Sequence, residues 1–160
     1  YLRVIRSKTA KLFEASCRLA AILAGTPPPL EAACAEYGQS LGTAFQVIDD
    51  VLDYDGDSGE MGKNLGDDLR EGKATLPLIQ AMRLGNAQEA RVVRQAIESG
   101  STQELPRIID IVRRTGALEA TRVAAMAQAE RAMTAARALP ANEYANSLLE
   151  LAAQLLHRRS

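Results

Sequence analysis

The sequence predicts an all-α fold, a helical bundle, on three observations. Apolar residues recur with a helical period in each long segment. No stretch alternates long enough to argue for a strand, and the links between segments are short and carry Gly or Pro. Hydrophobic residues make up 47% of the chain and aromatic residues only 4%, so much of the apolar content is Ala and Leu, which suits closely packed helices.

In the first segment Leu2, Ile5, Thr9, Leu12, Phe13, Ser16, Leu19, Ala20 and Leu23 keep the helical period, and Gly25 with Pro27-Pro28-Pro29 ends it. Tyr1 to Arg6 reads as mid-helix with no cap, so the chain is expected to begin inside a helix of something longer. A second helix is expected from Leu30 to Tyr54; its Gly38 and Gly42, four apart, admit the close approach of another helix or a ligand. Asp55 to Gly72 reads as a polar, glycine-rich loop with at most one irregular turn. It is longer than the about 12–15 residues beyond which loops are usually functional or disordered. The helical pattern resumes at Ala74, with Pro77 near the start where proline is tolerated, and ends near Gly85. Further helices are expected over Gln88–Glu98, Thr102–Thr115, Leu118–Ala138 and, after Pro140, Asn142–His157. Residues 1–160 are expected to form one domain or a large piece of one.

Composition narrows the function. A net charge of −1 gives no basic field for a polyphosphate backbone, which argues against nucleic acid. No apolar run approaches the roughly 18 residues of a transmembrane segment, and no signal peptide is visible, so a soluble protein is expected. Cys17 and Cys34 are isolated thiols without a CxxC or a neighbouring His; they read as reduced, partly buried cysteines of a cytoplasmic protein. His157, the sole histidine, lies in an Arg-flanked tail and is not read as a ligand or base.

The informative segment is Phe45-Gln46-Val47-Ile48-Asp49-Asp50-Val51-Leu52-Asp53-Tyr54. On a helix, Asp49 and Asp53 are four apart and Asp50 and Asp53 three apart, so the three carboxylates share a face, with Gln46 one turn earlier. Like charges at these spacings repel by about 0.2–0.5 kcal/mol per pair. The C-terminal end of a helix, where the cluster sits, disfavours anions as well. Solvated acidic faces usually mix in Lys or Glu, whereas here apolar residues flank the aspartates tightly; the arrangement most simply holds a cation. Hard oxygen donors without His or Cys favour magnesium or manganese over zinc. Asp53-x-Asp55-x-Asp57 opens like a calcium-binding EF-hand, but Ser58 and Asn64 stand where that loop needs Gly and Glu, so that reading fails. Downstream, Lys63 and Lys73 lie on glycine-rich backbone and are plausible point charges for a diphosphate. Nothing local marks Lys8-Thr9.

Taken together, SKTAKLFEAS, FQVIDDVLDY and GKNLGDDLREGKATLPLI resemble, in order and spacing, the Lys-Thr helix, second aspartate-rich motif and following loop of the trans-prenyl (E-isoprenyl) diphosphate synthases. The likeness is to long-chain members, which make quinone side chains. It implies the C-terminal portion of an isoprenoid-synthase-type all-α bundle, in a cytoplasmic homodimer, joining an allylic prenyl diphosphate to isopentenyl diphosphate with Mg2+. Carried over position by position, Asp49, Asp50 and Asp53 would ligate Mg2+. Lys8 and Lys63 would contact diphosphate, with Lys73 at the edge of the site. Thr9 and Gln46 would place oxygens near the developing cation, and Asp67 would act through water or by orienting a lysine. The family's first aspartate-rich motif and its isopentenyl-diphosphate-binding basic residues have no counterpart here. The chain is therefore expected to correspond to a C-terminal half that is inactive alone. A catalytically silent, regulatory relative of such synthases is the competing reading, although clustered aspartates have no purpose there; a terpene cyclase ranks lower, because DDxxD followed by GKxxGxDL is not its usual second metal motif.

Overall fold

The computed structural model describes residues 1–55 and 65–156, and among them it is helical with no strand. The helices are α1 (Leu2–Ile5), α2 (Lys11–Leu23), α3 (Pro28–Asp55), α4 (Asp67–Arg70), α5 (Leu76–Leu84), α6 (Ala87–Ser99), α7 (Leu105–Arg114), α8 (Ala117–Arg137) and α9 (Glu143–Leu155). Arg6–Ala10, between α1 and α2, is a π-helical turn.

Most boundaries fall near those expected, and the departures have local causes. Helix α3 starts at Pro28 rather than Leu30, since a proline in the first turn removes only a donor that has no intrahelical partner. Helix α6 starts one residue early because Asn86 and Glu89 form a capping box: the Asn86 side chain accepts from the Gln88 and Glu89 amides, and the Glu89 carboxylate accepts from the Asn86 amide. Helix α7 starts three residues late, with Pro106 in its first turn, and Asn142 caps α9 instead of opening it. Within the stretch read as a loop, Asp67–Arg70 forms a single helical turn. His157 lies outside the described residues.

The chain divides into two compact units, with the boundaries falling within α3 and α8. One consists of Tyr1, Asp49–Val123 and the last two residues. Its core is built from Tyr54, Leu69, Leu78, Val93, Ile108, Ile111 and Val112, contributed by α3 through α7. The other consists of Leu2–Ile48 and Ala124–Arg158. There Tyr37 and Leu41 of α3 pack against Ala132, Ala135 and Ala136 of α8 and Ala152 of α9, and the buried Tyr37 hydroxyl donates to the Leu148 carbonyl at 2.9 Å.

In this second unit the two glycines of α3 act as the sequence indicated. A Cβ on Gly38 would lie 2.4 Å from the Phe13 carbonyl oxygen, and one on Gly42 would lie 2.8 Å from the Ala10 Cα. The backbones of α2 and α3 therefore approach more closely than any side chain permits, and the Phe13 and Phe45 rings meet alongside, centroids 5.8 Å apart. Cys17 and Cys34 are both free and half-buried, and burial raises both thiols above their ordinary pKa. Leu12, Leu19, Ile22 and Leu23 of α2 are exposed.

Gly38→Ala is expected to destabilise the fold. Alanine gains about 0.8–1.0 kcal/mol of helix propensity. Overpacking against an immovable carbonyl costs about 1–3 kcal/mol, and a 2.4 Å contact belongs near the upper end. A urea denaturation midpoint lower than wild type is the expected result; an equal or higher midpoint would show that the close approach carries no energetic weight.

Candidate functional site

The face of α3 that carries Gly38 and Gly42 also carries Gln46, because the three recur every four residues. Close contact with α2 and the π turn brings Thr9 within reach, and its hydroxyl donates to Gln46 Oε1 at 3.1 Å. Two residues assigned to the cation-stabilising role are thus joined, in a unit that also holds Lys8, whose side chain is exposed. The π turn itself was not legible in the sequence. An extra residue in one helical turn leaves the hydrophobic period nearly intact, yet such turns recur at functional sites.

The carboxylates belong to the other unit. Asp49 is half-buried and Asp50 is 2% exposed. The Tyr1 hydroxyl donates to Asp50 Oδ2, and burial together with the Asp50 charge holds that hydroxyl well above its usual pKa, hence protonated. Asp53 accepts from the backbone amides of Asp67 at 3.2 Å and Asp68 at 3.3 Å, while the Gly66 amide donates to the Asp53 carbonyl at 3.0 Å. The polar segment thus folds back onto the end of α3. Gly66 makes the turn possible with φ of +77°, and α4 follows it.

These contacts shape the electrostatics. Burial first, and then the nearby Asp68 charge, push the Asp53 carboxyl up to about 6, against the smaller lowering effect of the two backbone amides. Cations arrive at the end of α3 from other helices: Arg113 of α7 donates to the Tyr54 carbonyl at 3.5 Å, and Arg122 of α8 pairs with Asp55. Lys73 pairs with Glu71 at 2.6 Å and Asp68 at 3.2 Å, and Asp67 pairs with Arg70. Lys63 lies outside the described residues.

Among the described residues, no three His, Cys, Asp or Glu side chains converge on a position that could hold a metal ion. The expected face of three carboxylates is not a preformed cage; Asp50 and Asp53 are each held by partners of their own. The donor set still fits a hard divalent ion, since magnesium takes one or two carboxylates and completes its shell with water and substrate phosphates. Asp68 was missed by sequence reasoning, although it stands beside Asp67 in the quoted loop. Tyr1 was missed too, because a contact spanning 49 residues leaves no local trace.

The polyprenyl synthetase family signature matches residues 1–115. The chain belongs to the polyprenyl synthetase family. It is 48% identical over 153 residues to octaprenyl diphosphate synthase of Haemophilus influenzae, an alignment covering 95% of this chain and 46% of that protein. It is 42% identical to the all-trans-nonaprenyl-diphosphate synthase (geranyl-diphosphate specific) of Rhodobacter capsulatus, covering 99% and 48%. Among solved structures it resembles a polyprenyl synthase from Caulobacter crescentus complexed with calcium and isoprenyl diphosphate, with a TM-score of 0.91 and 41% identity over 100% of this chain and 49% of that one. A decaprenyl diphosphate synthase from Rhodobacter capsulatus gives 0.90 and 41%, over 100% and 50%. The chain spans about half the length of the curated relatives it matches. No helix among the described residues is long and apolar enough to cross a membrane.

The raised Asp53 carboxyl makes a pH prediction. Its folded-state value of about 6 lies above its ordinary 3.8, so its contribution to stability is complete below 3.8 and is lost as pH rises through about 6. Between those limits Asp53→Asn is expected to show a shallower decline in thermal midpoint than wild type, measured by circular dichroism. Identical slopes would mean that Asp53 titrates normally.

Proposed function

We propose that this chain is part of a trans-prenyltransferase that extends an allylic diphosphate with isopentenyl diphosphate, making a long-chain all-trans polyprenyl diphosphate for quinone side chains. The observation that carries the reading is the set of hard oxygen donors gathered at the end of α3, Asp49, Asp50, Asp53 and the adjacent Asp68, in a chain of this family. An octaprenyl product is favoured by identity of 46–48% to octaprenyl synthases, against 42% to the nonaprenyl enzyme. The homodimer and the cytoplasmic location belong to the same reading and rest on the resemblance alone.

In this mechanism Asp49, Asp50 and Asp53 hold Mg2+, which neutralises the departing diphosphate. The allylic carbon–oxygen bond breaks and leaves an allylic cation. The isopentenyl double bond then forms the new carbon–carbon bond, and a proton is lost. Thr9 and Gln46, fixed by their mutual hydrogen bond, present oxygen dipoles to the cation. Lys8 contacts the allylic diphosphate and Lys63 supplies a second contact. Lys73 is paired with Asp68 and Glu71, so it joins the diphosphate by exchanging a carboxylate for a phosphate oxygen. Asp67 acts indirectly, through water or by orienting a lysine.

Titration with Mg2+ and a non-reactive allylic diphosphate analogue tests the reading. Metal-dependent binding that is lost when Asp49 and Asp53 are both changed to Asn is expected. Binding that ignores metal, or no binding, would favour a silent subunit. Incubated with both diphosphates and Mg2+, the 160-residue chain is expected to show no elongation, because it spans only about half of its active relatives; turnover comparable to a full-length synthase would overturn that expectation.

A further inference from the structure

We propose that Tyr1 is a positioning residue for the acidic motif: its hydroxyl, donating to Asp50 Oδ2, fixes the orientation in which that carboxylate meets a divalent cation. The inference rests on the metal-binding role proposed for Asp50.

Asp50 is the one ionisable side chain among the buried polar residues described, at 2% exposure, and a buried carboxylate must be stabilised by donors. The kind of donor matters. A lysine or arginine on Asp50 would cancel the charge that attracts a cation and would have to be displaced by it. A phenol donates a proton without bringing charge, so the carboxylate stays anionic. An acceptor oxygen that takes one hydrogen bond also retains lone-pair capacity for a metal. Burial and the neighbouring charges of Asp50 and Asp68 keep the Tyr1 proton in place, so the hydroxyl is a donor throughout the neutral range. The contact is tertiary, across 49 residues, and it ties the start of the first helical segment to the acidic end of α3 within one compact unit. Groups that hydrogen-bond metal-ligating side chains usually change metal affinity about 10–100-fold when removed.

The test uses the 160-residue chain with Tyr1→Phe, which keeps the ring and removes only the hydroxyl, alongside Asp50→Asn and the double variant. Two readouts are taken: the Asp50 side-chain carboxyl 13C resonance without metal, and Mn2+ affinity in the presence of inorganic diphosphate. Tyr1→Phe is expected to move the Asp50 resonance and to weaken Mn2+ binding about tenfold. In the Asp50→Asn background that weakening is expected to disappear, because the hydroxyl acts through Asp50. An unmoved Asp50 resonance overturns the proposal whatever the metal does. So does a Tyr1→Phe protein that binds Mn2+ like wild type, or one that loses the same affinity with Asp50 already changed. Wild-type protein that binds no Mn2+ even with diphosphate brings down the metal reading itself, and this inference with it; that result is recognisable without consulting the Tyr1 variant.

Discussion

Negative charge gathered at the wrong end of a helix is the constraint around which one unit of this protein is arranged. The last turns of α3 carry Asp49, Asp50, Asp53 and Asp55, where the helix already presents unpaired carbonyls. The fold answers with charge only at the outermost positions, where Arg113 meets the Tyr54 carbonyl and Arg122 meets Asp55. Among the contacts described, the aspartates of the motif receive neutral donors instead: a phenol on Asp50 and two backbone amides on Asp53. Neutral donors stabilise carboxylates without extinguishing their attraction for a cation. The raised Asp53 carboxyl shows that the compensation is incomplete, and an acidic cluster left partly uncompensated is suited to divalent metal and diphosphate.

The other unit solves a different problem, bringing polar side chains from two helices into contact where their backbones nearly touch. Gly38 and Gly42 remove the Cβ atoms that would separate α2 from α3, and Gln46 follows on the same face. The π turn at Arg6–Ala10 sits where Thr9 must reach across, and Ala10 itself packs on Gly42. Small residues, an irregular turn and the Thr9–Gln46 bond are consequences of one close approach. A side chain at Gly42 would therefore disturb the polar pair as well as the packing.

Much of this was legible in the sequence, for reasons that can be assigned to particular residues. The hydrophobic period located nearly all the long helices because burial of one face leaves a repeating trace. The four-residue spacing of Gly38 and Gly42, and the three- and four-residue spacings of the aspartates, predict shared faces because an α-helix allows no other reading. The boundary errors arose where capping decides: Asn86 with Glu89, Pro28 and Asn142 each moved a helix end by a residue or two.

By itself the sequence determined the helical class, the family through three motifs in order, and the residue types available for metal and diphosphate chemistry. Those are properties of local spacing and composition. Only the tertiary structure decided that Tyr1 reaches Asp50, that the Asp67 and Asp68 amides close on Asp53, and that the three aspartates do not form a finished cage. Each of these depends on which distant segments come together. A helical period states which face is buried, and it carries no information about what lies against that face.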